Sequence, residues 1–357
     1  MIEKYYSGVI EQIYNRIGKE TRNIVMANYS NDFSIENLEV IRRYQSNEDN
    51  VFFAYSEFSY NTLVGAYEPF LDIICNMHRR FIGGSFDDFQ KECGVYYLHR
   101  QVLNSYYETG ECFREETVLL NEVAYEQRRM TMAIADMLKK LSEVKPLMIV
   151  INRFQMASKS SIETIKYLID NPCANIGIVL GVNAIVKGTD STVEVWDRIV
   201  ESLEDRSAIY YIGSAGPLKN NVKTTNDDEL YITMNFEQSI QEASNIMEFL
   251  DFEQARRGCR IIEHKLKFED AWIDEKSLRR FYMVYARTSV LLGEMSKAIE
   301  LTNEYKALIP ENDSEHYLSL YYFMKGTCYM YQGKLEKAGN SAKSAYDYAV
   351  LAEDDTL

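Results

Sequence analysis

Pro146-Leu147-Met148-Ile149-Val150-Ile151-Asn152-Arg153 is the stretch on which the reading of this chain turns. Five consecutive apolar residues leave no polar face, so the run reads as a strand covered on both sides. Four other runs share its character: Asn23-Ile24-Val25-Met26-Ala27, Asn50-Val51-Phe52-Phe53-Ala54, Ile176-Gly177-Ile178-Val179-Leu180-Gly181 and Ala208-Ile209-Tyr210-Tyr211-Ile212. Helical periodicity fills the intervals. Doubly buried strands separated by helices predict a parallel sheet flanked by helices, an α/β domain over residues 1–235.

After Phe236 the strand signal ends and Ala, Leu and Tyr recur at three-to-four spacing. Gly293 and Ala298 are five apart, Gly333 and Ala338 are five apart, and 333 − 293 gives a period of 40. An earlier copy, Leu250-Asp251-Phe252-Glu253-Gln254-Ala255, places its alanine 43 residues before Ala298. Three helical hairpins over residues 236–357 are expected.

The last of these copies, Gly326-Thr327-Cys328-Tyr329-Met330-Tyr331-Gln332-Gly333-Lys334-Leu335-Glu336-Lys337-Ala338 and on to Ala345, resembles a tetratricopeptide repeat. Ala286, Gly293, Ala298 and Pro310 hold the same relative positions one unit earlier, with Tyr305 where a small residue is usual. The resemblance implies helices that approach closely at the small residues, the extra length lying around Pro310-Glu311-Asn312-Asp313. It also implies protein or interdomain contacts made through the repeats. The chain ends at Asp354-Asp355-Thr356-Leu357 with no capping helix, so the array is expected to continue beyond it.

The segment from Pro146 onward, continuing Phe154-Gln155-Met156-Ala157-Ser158-Lys159-Ser160-Ser161, resembles the Walker B region of STAND-class signalling ATPases, a branch of the P-loop NTPases. Gln155, Ala157 and Ser161 fit that pattern, but Asn152 and Arg153 stand where the family carries Asp-Asp. Mg²⁺ needs hard anionic oxygens and hydrolysis needs a carboxylate near water, and an amide and a guanidinium supply neither. At the place of the phosphate loop the chain reads Ala27-Asn28-Tyr29-Ser30-Asn31-Asp32-Phe33-Ser34. Ala27, Asp32 and Phe33 replace both glycines and the lysine, and only Ser34 is retained. Asn183, ending a later strand, departs from the family's sensor arginine. Tyr67-Glu68-Pro69-Phe70 resembles the family's helix-opening Pro-Phe segment, and only the acidic stretch Thr224-Thr225-Asn226-Asp227-Asp228 stands where a winged helix usually follows.

Composition narrows the alternatives. The 357 residues predict two or three domains, and 39 basic against 54 acidic side chains give a net charge of −15. A chain this acidic lacks the basic surface that nucleic acids demand. Six scattered cysteines, without a CxxC pair, and four histidines, without HxxxH spacing, suggest neither a disulfide framework nor a zinc site. No run approaches a membrane span, and the N-terminus lacks a secretory pattern, so a cytoplasmic location is expected. The basic run Met77-His78-Arg79-Arg80 reads as a solvated face, and Gly83-Gly84-Ser85 followed by Asp87-Asp88 as a turn and helix start.

The expectation is therefore a non-catalytic regulatory or sensory region of a signalling protein, with no cofactor, preceding a transcriptional or GGDEF-type output domain. Three alternatives stay open: a switch binding ATP or ADP without a standard phosphate loop, a crevice that keeps a small-molecule ligand, and a plain repeat scaffold recognising peptides.

Overall fold

The computed structural model describes residues 2–29, 38–46, 50–58, 63–114, 118–183, 193–205, 209–212, 236–268, 273–312 and 314–352. The chain is mixed α/β and mostly helical, and it separates into two compact units. Met1–Gly110 with Gln127–Tyr231 forms the first, and Glu111–Glu126 with Ile232–Leu357 the second. The second unit thus contains a segment taken from the middle of the first, which a division at residue 235 does not provide for. Residues 224–228 lie outside the described residues.

In the first unit the five apolar runs form β1 (Ile24–Tyr29), β2 (Phe52–Glu57), β3 (Leu147–Asn152), β4 (Ile176–Asn183) and β5 (Ile209–Ile212). All neighbours run parallel, in the order β2-β3-β4-β1-β5. Leu147 through Ile151 are fully buried, as a strand covered on both faces requires. The chain leaves β1 toward β2 on one side and returns to β5 on the other, so the order reverses beside β1. In open parallel sheets a crevice forms outside the carboxyl ends of the strands at such a reversal.

The first helix, α1 (Ile2–Arg16), buries Tyr6, Ile10 and Ile13 as a stripe at three-to-four spacing. It lies on β4 because that strand carries glycine on the facing side. A Cβ at Gly177 would come within 2.9 Å of the Ile13 and Ile17 side chains, and one at Gly181 within 2.9 Å of the Asn152 amide oxygen. The two glycines in the sequence run are therefore helix-packing positions, four residues apart on one face.

α2 (Glu39–Ser46) precedes β2. After β2, Pro69 leads into α3 (Phe70–Met77), which runs on through a π-helical turn, His78–Ile82. Ser85 caps α4 (Phe86–Glu92) by accepting from the Asp88 backbone N–H at 3.2 Å, the turn and helix start expected there. α5 (Tyr97–Thr109) and the long α6 (Val123–Val144) follow, with α7 (Lys159–Asp170) behind β3 and α8 (Val193–Asp205) before β5. Arg79 and Arg80 of the basic run are exposed, as expected, Arg79 lying over the Tyr107 ring and Arg80 over the Phe52 and Phe81 rings, whereas His78 is buried.

The second unit holds three successive helix pairs: α9 (Phe236–Glu248) with α10 (Phe252–Phe268), α11 (Glu275–Leu291) with α12 (Met295–Ala307), and α13 (Ser314–Tyr331) with α14 (Leu335–Leu351). Gly293 and Gly333 turn the second and third pairs at φ of 78° and 72°. Leu250 occupies the equivalent place in the first pair, five residues before Ala255, and adopts φ 68°. Its side chain is buried, so leucine's apolar contribution offsets a conformation that glycine would take without strain. Tyr305, in place of a small residue, is 2% exposed and acts as core.

The segment from Glu111 is fastened to these helices by its backbone and one arginine. The Cys112 N–H donates to the Asn245 side chain at 2.9 Å, and the Arg114 guanidinium donates to the Glu248 carbonyl at 2.9 Å, capping the carbonyl end of α9. Farther along, the Leu120 N–H donates to the Tyr331 hydroxyl at 2.9 Å, at the end of α13. Among the described residues no helix is long and apolar enough to cross a membrane.

Candidate functional site

The parallel sheet directs attention to the carboxyl ends of its strands, which finish at Tyr29, Glu57, Asn152, Asn183 and Ile212. Register places Glu57 opposite Asn152, and Asn183 opposite Tyr29. The sequence candidates Asn152 and Arg153 thus fall at and just beyond the end of β3. Ala27 and Asn28 lie buried in β1, the side chain of Asn183 is outside the described residues, and so are Asp32, Phe33 and Ser34.

Asn152 is fully buried, its amide oxygen turned toward Gly181. The same face of Gly181 meets the Tyr6 hydroxyl, carried in by the first turns of α1. Ala27 pairs with Gly181 and shares that face, since paired residues of parallel strands point the same way. A tyrosine, an alanine and an amide therefore pack together on one face of the sheet near the carboxyl ends of β1, β3 and β4. No anionic oxygen for a cation is supplied by them.

Arg153 takes φ 55° as the chain leaves β3 for the 3₁₀ turn Phe154–Met156. Its guanidinium pairs with Glu57 Oε1 at 3.2 Å and donates to the Phe58 carbonyl at 3.4 Å. The other oxygen, Oε2, accepts from the Tyr55 hydroxyl. Both side chains are under one-fifth exposed. Of the five residues ending the strands, Glu57 alone is a carboxylate, and both its oxygens are occupied by neighbours in the same fold. A general base or metal ligand needs lone pairs directed at substrate, and this carboxylate spends them on structure.

Sequence reasoning found Asn152 and Arg153 but missed Glu57, Tyr55 and Tyr6. Tyr55 and Glu57 lie two apart on one face of β2, and that alternation is the signal that could have linked them. Tyr6 was legible only as the head of the apolar stripe with Ile10 and Ile13.

The serines of the quoted segment hold structure together. Ser158 caps α7, Ser160 accepts from the Tyr67 N–H at 3.0 Å, and Ser161 donates to the Glu68 carbonyl at 2.7 Å. They fasten the 67–69 segment, including the Pro69-Phe70 helix start, to the beginning of α7. Burial pushes the thiols of Cys75 and Cys93 up to about 12 and that of Cys328 up to about 11, so none of these is a thiolate at neutral pH. Among the described residues no group of three or more His, Cys, Asp or Glu side chains could hold a metal.

No protein-family model matches the chain, and no curated protein matches it.

Proposed function

We propose that this chain is the non-catalytic regulatory or sensory region of a signalling protein, a STAND-like, P-loop NTPase-like domain without its chemistry joined to tetratricopeptide-like repeats. The observation that carries this reading is the Arg153–Glu57 pair beside Asn152. Where hydrolysis would need an anion directed at water or Mg²⁺, the strand ends supply an amide, and a carboxylate already neutralised by a guanidinium. The strand order, with β1 between β4 and β5, supports a common origin with P-loop NTPases, and the three glycine- or αL-turned helix pairs support the repeat reading. The repeats offer the surface through which a protein partner or an output domain of the same protein would be engaged. Cytoplasmic location and the absence of nucleic-acid binding belong to the same reading.

Hydrolysis is the direct test. Phosphate release from MgATP by the full chain should equal the buffer rate, and it should be unchanged in Arg153→Ala, which strips Glu57 of its cation. Turnover by the natural chain, or its appearance when Glu57 is released, would show an active site and overturn the proposal.

A further inference from the structure

The second unit contains an apolar cavity of about 430 Å³, within the size range of small-molecule sites. One wall is the segment carrying Val118 and Leu119; the others come from α11, α13 and α14. Ala338, Gly339 and Ala342 contribute little side chain to the α14 wall, and Gly326 lets α13 approach α14 closely, a Cβ there coming within 3.3 Å of Ser341. Around the cavity, Leu119, Phe323 and Met330 are 47%, 39% and 44% exposed, apolar surface that the fold itself leaves uncovered.

The polar groups around this space are already used. Arg287 donates to Glu248 at 2.9 Å, the Thr327 hydroxyl donates to the Phe323 carbonyl of its own helix at 2.9 Å, and the Tyr331 hydroxyl accepts from Leu120 N–H at 2.9 Å. Water is held in a protein cavity by two to four polar partners, and this one directs few at its interior. Its chemistry instead suits a neutral hydrocarbon-like molecule, to which methionine and phenylalanine side chains can adapt.

We infer that this cavity is a binding site for a neutral, predominantly hydrocarbon small molecule, held between the 118–119 segment and helices α11, α13 and α14. The site does not depend on the regulatory reading of the α/β unit and would stand if that unit hydrolysed ATP. It would give the proposed sensory role a ligand in contact with both the 118–119 segment and the helices.

The probe is N-phenyl-1-naphthylamine, neutral and fluorescent in apolar surroundings, titrated into the full chain. Saturable enhancement at micromolar concentration is expected, with competition by a neutral long-chain alcohol. Gly339→Phe should weaken binding at least tenfold, because Gly339 lines the pocket and a Cβ there meets nothing within 4 Å, so a ring is added at the lining without displacing a neighbour. Leu119→Asp, at a half-exposed wall position, should weaken it similarly by placing a charge at the mouth. Thermal melting of both variants establishes that they are folded. Leu351→Ser, exposed on the side of α14 opposite Ala342 and not among the lining residues, should leave binding unchanged. Absence of saturable binding, equal binding in folded Gly339→Phe and Leu119→Asp, or loss confined to Leu351→Ser would overturn the assignment.

Discussion

The two units treat their interior space in opposite ways. Toward the strand ends of the α/β unit, Tyr6 packs over Gly181, Asn152 is buried, and Arg153 pairs with Glu57, so the described polar side chains there are turned toward one another. In the helical unit, glycine and alanines on α14 line an apolar space, and the polar groups near it turn back on the fold. Glycine marks both places with opposite meaning. At Gly181 it admits a helix, and at Gly339 it leaves room.

The largest effect is expected from Tyr6→Ala. The side chain is fully buried, and truncating a large buried aromatic costs about 3–5 kcal/mol. Chemical denaturation should show the loss in the transition of the α/β unit, and an equal loss in the helical unit would break the comparison. A single kind of substitution then separates the two glycines. Gly181→Ala should cost about 1–3 kcal/mol, because its Cβ drives into Tyr6 and Asn152. Gly339→Ala should stabilise by about 0.5–1 kcal/mol, since the position is helical and the Cβ meets nothing. Denaturation midpoints of the two variants, measured together, check the opposite signs.

A smaller effect is expected with pH. His78 is buried among Phe86, Phe89 and Tyr107, and desolvation, with the neighbouring Arg79 cation, lowers its pKa below the ordinary 6.5. The unfolded chain therefore binds the proton more readily than the folded one. Stability contributed by the neutral imidazole is full above 6.5 and declines as pH falls below it toward the folded value. Mild acid should therefore loosen the α/β unit, and His78→Phe should flatten that dependence. A melting profile over mildly acidic pH checks both statements.

The elements were legible where burial was symmetrical. β3 reads as a strand because both its faces are covered, and the glycine-marked turns at 293 and 333 announce their helix pairs. The first pair was fainter because Leu250 takes the left-handed turn without being glycine. The candidate site was half legible. Asn152 and Arg153 end an apolar run that is conspicuous in the sequence, whereas Glu57 comes to Arg153 only through the pairing of β2 with β3, which no local pattern specifies. The segment 111–126 was invisible as part of the helical unit, because backbone N–H groups of Cys112 and Leu120 fasten it and every residue has a backbone. The glycines of β4 were read as part of a strand, and their purpose becomes clear only when α1 lies across them.

The most direct test of the central proposal, that the α/β unit no longer takes a nucleotide, is calorimetric titration of the full chain with MgATP and with ADP. The account predicts no saturable heat up to about 1 mM, an affinity limit weaker than about 4 kcal/mol of binding. Saturable binding of either nucleotide, lost on Ser34→Ala, would contradict it.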